Sequence, residues 1–163
     1  MNGAMLLTEY DAEMANTRRM LEAIPDGKLD FKPHPKSLSM RELATHVANL
    51  PSLIPLTLEV DELDVAGGLE QPDLRTGADI VAHLDATVRD GRPLLESANA
   101  AKMGEDWTLR AGEQVHFTMP KGVVLRSFVF NHVIHHRAQL AIYLRLCDVP
   151  VPGMYGPSAD EAM

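Results

Sequence analysis

The sequence predicts an all-α protein, a four-helix bundle with a short β-hairpin or extended segment before the last helix. Three observations carry this reading. Four segments show apolar residues at alternating spacings of three and four, the period of an amphipathic helix. Aromatic residues are only 5% of the chain, and Leu, Ala, Val and nine Met supply the apolar bulk, whereas strands enrich for aromatic and β-branched residues. Between Trp107 and Met119 the period changes to alternation. At 163 residues the chain reads as a single domain spanning 1–163, long enough to bury a core without disulfides.

The first helix is expected from about Leu6 to Ile24, with Leu7, Tyr10, Met14, Thr17, Leu21 and Ile24 on one stripe and Pro25-Asp26-Gly27 as its stop. The second starts at a capping box, Ser39 with Glu42, in which each side chain satisfies the other's free backbone donor. Its stripe reads Leu43, Val47, Leu50, Leu53 and Ile54. Pro51 and Pro55 should kink or end it. Asp61 to Arg75, with Gly67-Gly68 and Pro72, reads as a long loop. The third helix begins at Thr76 with Asp79 as its partner and shows Ile80, Leu84, Val88, Leu95 and Ala98 on one face, with Gly91 and Pro93 weakening its second half.

Trp107-Thr108-Leu109 and Val115-His116-Phe117 alternate around Ala111-Gly112-Glu113, a hairpin pattern. Pro120 suits the first turn of the last helix, which runs to about Cys147. A tail with Pro and Gly, Val149 to Met163, closes the chain. There is no internal repeat and no low-complexity segment.

The last helix is apolar on two sides. At 100° per residue, Leu125, Phe128, Val129, Gln139, Tyr143 and Leu146 fall within about 60° of His132, while Val123, Phe130, Ile134 and Ala141 line the opposite side. A helix of a bundle keeps an outer face, so the second stripe predicts a homodimer built on Val123, Phe130, Ile134 and Ala141.

His132 and His136 are four residues apart and share one helical face with the core-directed stripe. His46 stands at the centre of the second helix's apolar stripe, between Leu43 and Leu50. A buried imidazole left without partners costs free energy. Three of them on two facing stripes are met most economically by one divalent cation, with a hydrogen-bonded core network as the competing explanation. His135, Asn49, Gln139, Tyr143 and Trp107 are candidates for orienting the ligands or lining the pocket, although packing or surface roles explain each of them as well. His34, His83 and His116 read as loop or boundary residues.

The net charge of −8 and the lack of any basic run argue against nucleic acid as a partner. Cys147 is the only cysteine, so no intrachain disulfide forms, and a cytoplasmic location is expected. Glu9, Asp11 and Glu13 interrupt the N-terminal segment. No stretch approaches the ~20 apolar residues of a membrane span.

Three segments resemble the DinB family: Phe31 to His46, Asn131 to Leu140 continuing through Tyr143-Leu144-Arg145, and the tail Val151 to Glu161. The resemblance covers essentially the whole chain. It implies a four-helix bundle, usually dimeric, holding one metal through a His of the second helix and an HxxxH of the last. Those positions are His46, His132 and His136. Relatives within the family include bacillithiol- and mycothiol-dependent thiol S-transferases and maleylpyruvate isomerase, and zinc and nickel are its common metals.

Two features depart from the family pattern. Ala138 stands where Gly usually follows the His-Arg pair, and Pro51, Leu53, Ile54 and Pro55 occupy the stretch where an aromatic residue often follows the first ligand.

Three functions stay open at this point. A metal with three His ligands keeps an open position, where a low-molecular-weight thiol would ionise and attack an electrophilic substrate. A hydrolase would place hydroxide there and needs a carboxylate base, for which Glu42 is the nearest residue. A stress-related, non-enzymatic metal-binding protein is the third.

Overall fold

The computed structural model describes residues 2–69 and 71–161; the last two residues of the tail, and residues 1 and 70, lie outside it. The chain is mostly helical with a small three-stranded sheet, so the all-α expectation is too narrow. The order is α1 (Ala4–Glu22), α2 (Met40–Asn49), α3 (Leu53–Leu58), β1 (Glu62–Asp64), α4 (Gly77–Ser97), α5 (Ala100–Gly104), β2 (Asp106–Ala111), β3 (Gln114–Pro120), α6 (Lys121–Leu125) and α7 (His132–Leu146). A π-helical turn, Arg126–Asn131, joins α6 to α7.

Both capping boxes form. Ser39 accepts from the Glu42 amide while Glu42 accepts from the Ser39 amide, and Thr76 and Asp79 repeat the arrangement at the start of α4. The long helices pack in a ring, α1 on α4, α4 on α2, α2 on α7 and α7 on α1. Leu43, Val47, Leu84, Val133, Leu140 and Leu144 are buried inside it. Gly91 allows α4 to approach closely, because a Cβ there would lie 3.1 Å from the Ile54 side chain and 3.4 Å from the Pro51 carbonyl.

Pro51 and Pro55 end α2 without ending helical structure. Pro51 sits near the start of a 3-10 turn, Leu50–Ser52, and Pro55 in the first turn of α3, positions where the missing N–H has no helical acceptor to lose. The expected loop from Asp61 to Arg75 contains β1, which pairs in parallel with β2 from Glu62↔Thr108 to Asp64↔Arg110. The hairpin β2–β3 is present, with Gly112 at φ +57° in its turn. Pro120 ends β3 and caps α6 instead of occupying its first turn.

The predicted outer stripe of the last helix needs correction. Phe130 is fully buried, with its ring centroid 5.9 Å from that of Tyr10, while Ile134 and Ala141 are half-buried and only Val123 is exposed. The buried row of α7 runs through Val133, Arg137, Leu140 and Leu144, about 110° around the helix from His132, and Phe130 continues it at spacings of three and four, so a stripe drawn opposite His132 follows the edge of the core. The large apolar residues exposed on α7 are Ile142 and Leu146, the latter expected beside His132.

Candidate metal centre

His46 projects from α2 and His132 and His136 from α7, the two helices being in direct contact. The three ring centroids lie 4.9, 4.8 and 4.7 Å apart, nearly an equilateral triangle. One nitrogen from each ring falls within 4.8 Å of the others, close enough for the three to hold a metal ion. All three side chains are half-buried.

The protein sets which nitrogen of two of these rings is free. The His136 Nδ1–H donates to Gln139 Oε1 at 2.7 Å, and the Gln139 amide NH2 donates onward to His135 Nε2 at 3.2 Å. His132 donates its ring N–H to the Phe128 carbonyl, while its Nε2 faces His46 Nε2 at 3.2 Å. His136 is thereby held through its Nδ1, and the Nε2 of His132 lies against that of His46. Ligating histidines elsewhere show the same arrangement, with the second nitrogen bonded to a carbonyl or another acceptor. Zinc–nitrogen bonds of ~2.0–2.1 Å at tetrahedral angles put neighbouring nitrogens roughly 3.3–3.4 Å apart. The 3.2 Å between His46 and His132 is close to that value.

Electrostatics favour the neutral, ligating form. Burial, followed by the neighbouring His136 and His132, pushes the pKa of His46 from 6.5 down to about 4. His132 is also lowered, by burial and by His136, against the opposing effect of the Phe128 carbonyl. The donor set, three imidazoles with one nitrogen each within 4.8 Å of the others, fits a borderline divalent cation.

The other expected site residues divide. Gln139 contacts both His136 and His135. Asn49 accepts from His83 Nε2 at 2.9 Å, so its amide is committed to α4. Tyr143 donates to the Leu38 carbonyl at 3.1 Å and meets Phe31 edge to face. Trp107 is buried with its indole N–H on the Leu56 carbonyl at 3.0 Å, which a packing role accounts for. Glu42 is held by its capping box and by Lys32.

A cavity of about 470 Å3 reaches the centre at His46, lined by Arg41, Glu42 and Thr45 of α2 and by Gln71 to Leu74. None of the five auxiliary candidates lines it. Arg41 and Thr45 were not singled out from sequence, and neither was Phe128. Its ring stacks on Phe117 with centroids 5.0 Å apart, and its carbonyl receives His132. The carbonyl carries no signal in a sequence. Thr45 does, standing four residues before Asn49 on one helical face.

Fold and site together define a mostly helical protein with a three-histidine cluster between two helices. The DinB family profile matches residues 1–163, and the chain belongs to the DinB family. Among known proteins it is similar to the uncharacterized protein YrdA of Bacillus subtilis (strain 168), 24% identical over 159 residues, which cover 95% of this chain and 89% of that one. It shares its fold with two solved structures. One is a DinB-like protein from Bacillus cereus ATCC 10987, with TM-score 0.66 at 21% identity, covering 92% of this chain and 95% of that one. The other is the DinB-like protein YjoA of Bacillus subtilis, with TM-score 0.69 at 15% identity, covering 93% and 99%.

Proposed function

We propose that His46, His132 and His136 hold one divalent ion, zinc or nickel, and that the protein is a metal-dependent S-transferase for a low-molecular-weight thiol. The observation that carries this reading is the cluster itself, in which one nitrogen of each ring lies within 4.8 Å of the others, His136 is held by Gln139 and His132 faces His46 at 3.2 Å. A divalent ion bound there would supply a Lewis acid with one open position, lowering the pKa of a thiol that enters it.

The chain's own residues do the rest. Gln139 and the Phe128 carbonyl keep the donor nitrogens in place, and the cavity beside His46 holds the substrate. The sulfur bonds to an electrophilic carbon, the leaving group departs with its electron pair, and the thiol proton passes to water. The framework is one domain over residues 1–163, a four-helix bundle made by the ring of α1, α4, α2 and α7, in a reducing cytoplasm. A homodimer is proposed through the exposed edge of α7 at Ile142 and Leu146.

A hydrolase is less well supported, because Glu42, the carboxylate expected to act as a base, accepts from the Ser39 amide at 2.6 Å. The test is an assay of the purified protein with a generic aromatic electrophile and a panel of small thiols, with and without chelator. Conjugation above the uncatalysed rate that disappears with the metal is expected. A rate no faster than background, or indifferent to chelation, removes the transferase and leaves the non-enzymatic reading.

A further inference from the structure

His135 stands outside the group of nitrogens close enough to share an ion, yet it is linked to one of them. The residue is exposed, and its ring centroid lies 4.8 Å from that of His136. The link is Gln139, three residues after one ring and four after the other, the spacings at which helical side chains meet. Its Oε1 is 2.7 Å from His136 Nδ1, and its Nε2 is 3.2 Å from His135 Nε2.

The amide has a polarity that the rings lack. Its oxygen only accepts and its NH2 only donates, whereas an imidazole nitrogen does either, according to the tautomer. Two arrangements therefore satisfy all three groups. In the one that the structure shows, His136 Nδ1 carries the proton, Gln139 Oε1 accepts it, and His135 Nε2 is bare. Turned over, the amide would give its NH2 to a bare His136 Nδ1 and its oxygen to an Nε2–H of His135. A neutral imidazole has one proton. The first arrangement leaves His136 Nε2 free for an ion, and the second blocks that nitrogen.

We propose that Gln139 couples the exposed residue 135 to the tautomer of His136: an acceptor at 135 holds the form that binds an ion, and a donor there imposes the form that does not. His135 is then a positioning residue that acts only through the amide. The coupling itself needs no metal; only its consequence for an ion rests on the metal-dependent reading above.

The experiment puts side chains of fixed polarity at this position. His135→Glu only accepts and His135→Lys only donates, and an exposed helical position tolerates both. Long-range 1H–15N correlation NMR of the metal-free, full-length protein reads each histidine tautomer at about pH 8, where free imidazoles are neutral. Competition against a chromogenic chelator, in high salt to screen exposed charge, reads zinc affinity. His136 should be protonated on Nδ1 in the parent and in His135→Glu, and on Nε2 in His135→Lys. Zinc should bind at least about tenfold more weakly to His135→Lys than to His135→Glu.

Part of that gap is direct repulsion between the ion and a cation at 135. Repeating the pair with Gln139→Leu removes the amide link and keeps the charges. The gap should then shrink to about threefold or less, and the excess in the first pair measures the coupling. A His136 tautomer that is the same in both variants, a parent His136 protonated on Nε2, or a gap just as wide with Gln139→Leu would overturn the proposal. A tautomer that follows residue 135 in a protein that takes up no zinc would sink the metal reading alone. Stoichiometric zinc with a tautomer indifferent to residue 135 would sink this proposal alone.

Discussion

Helix α7 carries polar groups into the interior on two adjacent faces, and the faces solve the problem differently. On one, Arg137 lies among Val133, Leu140 and Leu144 and is 2% exposed. Its guanidinium donates to Glu13 Oε2 at 2.5 Å, to the Glu13 carbonyl at 2.9 Å, to Thr17 at 3.1 Å and to Tyr155 at 2.7 Å. Every strong partner comes from the protein, and the result ties α1, α7 and the tail together. On the other face, His136 gives its Nδ1 to Gln139, and His132 and His136 form a triangle of rings with His46. The first face is complete in itself, whereas the second gathers three imidazoles close enough to hold a metal ion. That contrast separates a structural polar cluster from a candidate binding one better than burial does.

Breaking the complete face should cost the most. Glu13→Ala leaves the Arg137 cation buried without its carboxylate, and about 3–5 kcal/mol of unfolding free energy should be lost in urea titrations. Metal content per folded molecule should not change.

The incomplete face should respond to metal. At a free-ion concentration a hundredfold above Kd, loading should add about 2.7 kcal/mol to stability, and that gain should vanish in His136→Ala. Gln139→Leu, which frees the Nδ1 of His136, should weaken metal binding by about 10–100-fold without unfolding the protein, and Gln139→Glu should restore much of the loss. Competition against a chromogenic chelator measures both.

The pH response of the metal-free protein is a smaller effect. The pKa of His46 is pushed down to about 4 from 6.5, so the unfolded chain binds the proton that the folded one refuses. Stability should therefore fall as pH drops from 6.5 toward 4, and His46→Asn should flatten that slope in urea midpoints measured across the window. The smallest effect on stability is expected at Ile142, which is 60% exposed. Ile142→Glu should stay within about 0.5 kcal/mol of the parent while shifting sedimentation from dimer to monomer. An unchanged dimer would move the interface elsewhere.

Local signals were legible where the responsible groups are near in sequence. Ser39 with Glu42, Thr76 with Asp79, the alternation of β2 and β3, and the i, i+4 spacing of His132 and His136 all act within one turn or one hairpin. Strand β1 escaped notice because it has three residues and its pairing with β2 lies more than forty positions away. Phe130 is expected on the outside because the projection is centred on His132, whereas the buried row of the helix runs through Val133, Arg137, Leu140 and Leu144 and Phe130 continues it. The cavity over Arg41 and Thr45 is assembled by the 71–74 segment folding over α2, an encounter that no helical period encodes. The identity of the three clustered imidazoles, by contrast, followed from two stripes that had to face each other.

The most direct test is elemental analysis of freshly purified protein beside its His136→Ala variant. Convergence of His46, His132 and His136 on one ion predicts one divalent metal per chain in the parent and none in the variant. A parent that carries no metal after loading, or a variant that keeps it at full stoichiometry, would contradict the account.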